Sequence, residues 1–212
     1  MLLLAFDTAT PAVTVAVHDG TRLLAASTSE GATAHGERLA PAIREALTEA
    51  GADPADLTDI AVGVGPGPFT GLRVGVVTAL TLASTLGIGA HGICTLDTLA
   101  AEAVAAGGPG EEFLVATDAR RREVYWARYD AAGARLDGPD VAVPADLAAR
   151  FPGRPVIGRG ADLYADLLGP SRGPRDPSAA ALASAVAGGS AALLPVEPLY
   201  LRRPDAVPLD QR

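Results

Sequence analysis

The spacing of apolar residues changes period in a fixed order along the chain. Residues 2–6 form an unbroken apolar run, residues 13–17 alternate around Thr14 and Ala16, and residues 23–28 follow an Asp19-Gly20 dipeptide. Continuous or period-two apolar patterns mark strands, and Asp-Gly between two of them favours a tight hairpin. The chain is therefore expected to open as an antiparallel meander, with its first turn over residues 8–11. Helical spacing takes over at 35–50, where Leu39, Ile43 and Leu47 share a face beside Ala42, Ala46 and Ala50. Gly51 ends that helix, and Pro41 should kink it or mark its first turn. A strand over 60–64, a helix over 72–86, a strand near 90–93 and an Ala-rich helix over 96–106 follow.

Gly107-Gly108-Pro109-Gly110 punctuates the chain, and beyond it the order restarts in miniature. Residues 113–118 read as a strand ending in Asp118, as the first strand ends at Asp7, and residues 123–129 alternate as a second strand. Short helices are expected at 146–150, 161–168 and 179–187, with a strand at 156–157. A meander followed by strand–helix alternation predicts an α/β fold, a mixed sheet covered by helices. Its repetition divides the chain into an N-terminal lobe, 1–106, and a C-terminal lobe, 107–212, with the C-terminal tail free to pack back on the first.

Between the strand at 60–64 and the helix at 72–86 stands Gly65-Pro66-Gly67-Pro68. The glycines permit close backbone approach and the prolines stiffen the turn. A loop of this kind opening on a helix N-terminus suits an anion or another chain, and equally a tight strand-to-helix connection. In the helix itself Gly71, Gly75, Ala79 and Ala83 recur every four residues and so stack on one face. Arg73 is its single charge, and a helix apolar on most of its circumference is buried on most of it. The small seam is expected to take a second helix at close range, from a partner subunit. A membrane span is rejected, because Thr78, Thr81, Ser84, Thr85, Gly87 and Gly89 dilute and break the segment.

Composition narrows the function. The 212 residues are 49% hydrophobic and 20% charged, ordinary for a soluble globular protein, and the net charge of −8 argues against sequence-independent nucleic-acid binding by this chain alone. The single cysteine, Cys94, precludes an internal disulfide and fits a reducing, cytoplasmic compartment. The apolar start has no basic region before it and reads as a strand, not a signal peptide. All 17 basic residues are Arg, so P-loop and Schiff-base lysines are excluded. The nucleophile-elbow pattern Gly-x-Ser-x-Gly is absent. His91 and Cys94 have metal-like spacing, but two ligands make no site.

Several blocks carry a resemblance together: Phe6-Asp7-Thr8-Ala9-Thr10, His35-Gly36-Glu37-Arg38-Leu39-Ala40-Pro41, the stretch from Gly63 through Gly65, Gly67, Phe69, Thr70 and Gly71 to Gly75, Thr95-Leu96-Asp97-Thr98-Leu99, Asp118-Ala119-Arg120 and Pro198-Leu199-Tyr200-Leu201-Arg202. In this order they resemble the TsaB/YeaZ family of bacterial tRNA threonylcarbamoyladenosine biosynthesis proteins. Gly36 and Pro68 depart from the family's usual Ser/Thr and Ser. The resemblance implies an actin/Hsp70-like (ASKHA, RNase H-like) fold of two related lobes. It implies a non-catalytic subunit that pairs with a catalytic paralogue, TsaD, and an ATPase, TsaE, to place threonylcarbamoyl on N6 of adenosine 37, reaching tRNA only through that complex. It also implies homodimers through the lobe with the first two helices. The partner-binding residues expected are His35, Arg38, Leu39, Ile43, Gly71, Leu72, Gly75, Ala79 and Ala83.

No catalytic residue, metal or cofactor is assigned. Asp7, Thr8, Thr10, Gly65, Gly67 and Asp118 form a possible degenerate nucleotide site: relatives of the fold place a phosphate or metal-water contact after the first strand, but Ala9 and Pro11 stand where a glycine would let the backbone approach a phosphate. Asp118 with Arg120, Arg121 and Arg122 suits an anion, though an Asp capping a turn beside a solvated Arg run is the preferred reading. The resemblance also puts Thr95 and Leu99 about where the catalytic paralogue carries its metal histidines. A stand-alone nucleotide-binding or hydrolysing enzyme of the same superfold is the alternative.

Overall fold

The computed structural model describes residues 1–30 and 35–202. Its first sheet has the order β3-β2-β1-β4-β5, from β1 (Leu3–Asp7), β2 (Ala12–His18), β3 (Leu23–Glu30), β4 (Asp59–Gly63) and β5 (Gly89–Ile93). β1 and β2 are buried along their whole lengths, as near-continuous apolar strands covered on both faces must be. β1–β2 and β2–β3 pair antiparallel, β1–β4 and β4–β5 parallel. The second sheet repeats the plan in the order β8-β7-β6-β9, from β6 (Phe113–Asp118), β7 (Val124–Tyr129), β8 (Arg135–Ala142) and β9 (Val156–Ile157). Again an antiparallel meander is followed by a parallel pair, β6–β9.

The helices are α1 (His35–Ala50), α2 (Phe69–Leu86), α3 (Thr95–Ala105), α4 (Pro144–Arg150), α5 (Arg159–Leu163), α6 (Ala165–Leu168) and α7 (Ala179–Ala187). α1 and α2 cover one face of the first sheet, where Leu39, Ile43, Leu72 and Val76 meet Leu4, Phe6 and Val62. Three details differ from the sequence pattern. β8, with its alternating half-exposed residues around cis Gly138-Pro139, is an edge strand too polar to stand out by hydropathy. The helix expected over 161–168 is broken at Tyr164 into α5 and α6. A 3-10 turn at Pro54–Asp56 is held by a capping box between Asp53 and Asp56.

The two sheets fall on either side of residue 106, and two helices pack across that division. α3, placed in the first lobe by sequence, packs Leu96, Leu99 and Ala103 against Phe113, Val115 and Tyr129 of the second sheet. α7 returns to the first sheet and lays Ala179, Leu182 and Ala183 over Leu3, Ala5, Ala16 and Ala61. The small alanines on that face of β1, β2 and β4 leave room for a close helix that local sequence order does not reveal. α3 and α7 touch each other, and Glu102 of α3 accepts a bond from the Ser178 N–H at the start of α7, 3.2 Å. Beyond α7 the chain pairs Leu194 with Gly92, donates the Leu199 N–H to the Val64 carbonyl at 2.8 Å, and sets Arg202 on the Ala119 carbonyl at 2.8 Å and on the Glu123 carboxylate. Residues 203–212 of the expected second lobe lie outside the described residues.

The seam of α2 faces inward, contrary to the expectation that it meets a partner. Gly71, Gly75 and Ala79 are buried, and a Cβ on Gly71 or Gly75 would stand 2.5 Å from the carbonyl oxygen or the hydroxyl of Thr8. The glycines are there because the first turn of the chain lies directly on this helix. α2 is long and apolar enough to cross a membrane by length and composition, yet one face rests on the sheet as in a core helix. On an open helix face Gly→Ala stabilises by up to about 1 kcal/mol. Gly75→Ala is instead expected to lower the unfolding free energy by about 2 kcal/mol through overpacking, read as a lower urea midpoint at unchanged slope.

Candidate functional site

Three loops converge where β1 ends. Asp7 is fully buried; its Oδ1 accepts the Ala9 N–H at 2.7 Å and its Oδ2 accepts the Thr95 hydroxyl at 2.7 Å. Thr95 in turn accepts the Gly65 N–H at 3.2 Å and gives its own N–H to the Gly65 carbonyl at 2.8 Å. One carboxylate thus ties the first turn, the Gly/Pro loop and the start of α3 together. Gly63 lies flat against the carboxyl group, with no space for a side chain between them. Burial raises the Asp7 pKa to about 6; the Ala9 and Thr95 bonds pull it back, and the charge of Asp176 adds to the rise. Asp176 is itself held by a bidentate Arg159.

The rest of the expected degenerate site is spoken for. Thr8 donates to the Gly71 carbonyl at 2.8 Å, and His35 Nε2 donates to the Thr10 carbonyl at 2.8 Å, so both threonines clip the first turn to the helices. Gly67 runs against the Ala9 backbone, again with no space for a side chain. Asp118 caps the β6–β7 turn, accepting the Arg120 N–H at 2.7 Å and pairing with the Arg120 guanidinium at 3.2 Å. Arg120, Arg121 and Arg122 all have φ near +60° in that turn, a conformation that costs non-glycine residues on the order of 1 kcal/mol each. Between Asp118 and the first turn the void measures about 10 Å³, lined by Ala9, Pro11, Pro68, Thr117 and Arg159 among others, the space of one water. A shallower cavity of about 310 Å³ opens beside it, between Thr10, His35, Thr70 and Arg120.

The structure separates the expected partner-binding residues. Leu39, Ile43, Gly71, Leu72, Gly75 and Ala79 are buried in the lobe's own core, and Ala83 is half-buried against it. His35 and Arg38 stand toward the surface at the start of α1. What α2 presents outward is Val77, 59% exposed, and Leu80, 48% exposed. On another side of α2, reached by Thr78 and Leu82, an apolar groove of about 290 Å³ runs between α1 and α2, floored by Leu4, Ile43, Leu47 and Leu82. At the N-terminal end of α2, Arg73 lies 4.0 Å over the Phe69 ring and donates to the Tyr200 hydroxyl at 2.9 Å, while Phe69 stacks on Tyr200. The sequence reading missed Val77, Leu80 and the Tyr200 contact; the first two could have been found by asking what lies opposite a small-residue stripe. Thr95 was noted only for what it replaces, not as the donor to Asp7. Among the described residues no group of three His, Cys, Asp or Glu is placed to hold a metal. His91 instead faces Asp59 at 3.5 Å, and burial pushes the Cys94 thiol up to about 12.

A family model described as "TsaD: tRNA N6-adenosine threonylcarbamoyltransferase" matches residues 27–190. An uncharacterized protein of Mycobacterium tuberculosis (strain ATCC 25618 / H37Rv) is 44% identical over 98% of this chain and 94% of its own. YeaZ from Pseudomonas aeruginosa superposes with a TM-score of 0.75 at 31% identity, over 94% of this chain and 99% of that one. The chain belongs to the TsaD family and, within it, to the TsaB/YeaZ group. The tRNA threonylcarbamoyladenosine biosynthesis protein TsaB of Escherichia coli (strain K12) is 40% identical over 61% of this chain and 55% of that protein. The fold is the actin/Hsp70-like α/β fold that family membership implies.

Asp7 makes the site pH-sensitive in a direction that can be checked. Its folded-state pKa of about 6 lies above the ordinary value of 3.8, so the native state holds a proton that the unfolded chain has lost. Its contribution is present below pH 4 and is lost as the pH rises through 6, a cost of about 3 kcal/mol by neutral pH. Burial also raises the Asp97 and Glu102 pKa values, with the same sign. The difference between wild type and Asp7→Asn isolates Asp7: the melting temperature of the wild type should fall from pH 4 to pH 7 more steeply than that of the variant.

Proposed function

We propose that this chain is the non-catalytic, TsaB-type subunit of the cytoplasmic assembly that installs N6-threonylcarbamoyl on adenosine 37 of tRNA. It would pair with a TsaD-type catalytic paralogue, work with a TsaE-type ATPase, and meet tRNA only through them. The observation that carries this reading is the closed junction around Asp7. Where the family resemblance sets the catalytic paralogue's metal histidines, Thr95 is bonded to Asp7 and Leu99 is fully buried among apolar side chains. The enclosed void between the lobes' two Asp turns is only about 10 Å³.

A subunit without a reaction of its own acts through a surface, and the outer face of α2, with Val77 and Leu80 exposed, supplies one. The same face would close a homodimer in isolation and meet the paralogue in the complex, so the two assemblies would exclude each other and partner would draw the homodimer apart by mass action. Light scattering after size-exclusion chromatography, across a partner titration, tests it. Leu80→Asp should weaken both associations at least tenfold with an unchanged melting temperature; loss of only one shows that the surfaces differ. In a reconstituted modification assay Asp118→Asn should leave the rate within about threefold, whereas removal of a working acid or base costs about a hundredfold or more.

One observation favours a second reading, nucleotide binding. The 310 Å³ cavity brings Arg120 toward the N-terminus of α2, which no side chain caps. Isothermal titration of the isolated chain with ATP separates the two: micromolar binding with turnover supports the second.

A further inference from the structure

A cavity of about 520 Å³ lies away from the Asp7 junction, where α3, the β7–β8 turn and the segment after α7 meet. Its walls are small and apolar: Ile93, Ala101, Val104, Ala132 and Ala185. Its polar edge is a charge pair. Asp97 Oδ1 accepts the Tyr129 hydroxyl at 2.7 Å and stands 3.5 Å from Arg135 Nε, while Arg135 Nη1 reaches Cys94 Sγ at 3.9 Å. Both side chains line the cavity, and Asp97 and Arg135 keep 21% and 27% of their side-chain surface exposed. Thr98 also lines the cavity, but its hydroxyl is sealed beneath the surface without a partner. Buried hydroxyls are normally paired, and an unpaired one costs stability.

We propose that this cavity binds a small, uncharged molecule with an amide-type edge, a donor beside an acceptor, as in a carboxamide or a nucleobase. The edge offers an acceptor, the Asp97 carboxylate, next to a donor, the Arg135 guanidinium. An anion would meet the Asp97 carboxylate and a cation would meet the Arg135 guanidinium; a neutral donor–acceptor pair satisfies both at once. The alanine walls give a ring or a short chain its apolar surroundings, the common make-up of small-molecule sites. The inference is independent of the partner-binding role.

Three probes of one shape test it on the full-length protein: benzamide, benzoate and benzamidinium, followed by amide chemical shifts. Benzamide is expected to shift Ala101, Val104, Gly133 and Ala191 saturably, with a millimolar dissociation constant suited to a fragment of its size. Benzoate and benzamidinium should not. Arg135→Met removes the donor and leaves the Asp97 acceptor; benzamide should bind roughly fivefold more weakly while benzamidinium begins to bind. Ala105→Trp, at an exposed position on the rim, should block binding. Absence of saturable shifts, equal binding of the charged probes, or benzamide binding indifferent to both variants overturns the proposal.

Discussion

A buried carboxylate with two bonds organises the N-terminal lobe. Asp7 ends the central strand, and its oxygens are shared between the turn that follows, through Ala9, and a helix from much later in the chain, through Thr95. Because the group is fully buried, each of these bonds must be made: an unpaired buried oxygen would cost more than the bond returns. Around this point the neighbours are small by necessity. Gly63, Gly67, Gly71 and Gly75 are the places where backbone runs against Asp7, Ala9 or Thr8. The Gly-Pro-Gly loop and the small face of α2 are thus two consequences of packing one turn tightly.

That explains how the sequence could show the feature and mislead about its direction. The stripe of Gly71, Gly75 and Ala79 is plain at four-residue spacing, but spacing says only that something comes close, not whether it is another subunit or the chain's own first turn. The strands and long helices were legible for the ordinary reason that burial on one or two faces imprints a period: β1, β2, β6, α1 and α7 stand where the pattern puts them, within a residue or two. β8 was not, since an edge strand with alternate residues in water has little apolar signal. The exchange of α3 and α7 between sheets was not, since Leu96, Leu99 and Leu182 record that a helix is buried without recording under which sheet. Asp7 and Asp118 were visible as strand-ending carboxylates; their difference in burial, and Thr95 as the donor, are tertiary facts.

The exchange has a mechanical consequence. α3 and α7 lie in contact between the two sheets, and each belongs by sequence to one lobe and by packing to the other. The bidentate Arg159–Asp176 pair and the run of residues 194–202 from Gly92 to Glu123 add further ties across the junction. Opening a cleft between the lobes would break several buried contacts at once. A two-lobed fold tied in this way is well suited to hold an outer surface in a fixed shape.

The fixed surface that results is the outer side of α2. A helix this apolar has to be covered on more than one side, and the sheet takes only the face of Gly71, Leu72, Gly75, Val76 and Ala79. Val77 and Leu80 remain in water, and on the side of Thr78 and Leu82 the groove between α1 and α2 stays open down to Leu4 of the central strand. Since the seam that packs on Thr8 fixes the rotation of the helix, it also fixes which side chains are left outside. The same glycines that close the site around Asp7 therefore aim Val77 and Leu80 outward, and whatever occupies that face is selected indirectly by the turn buried beneath it.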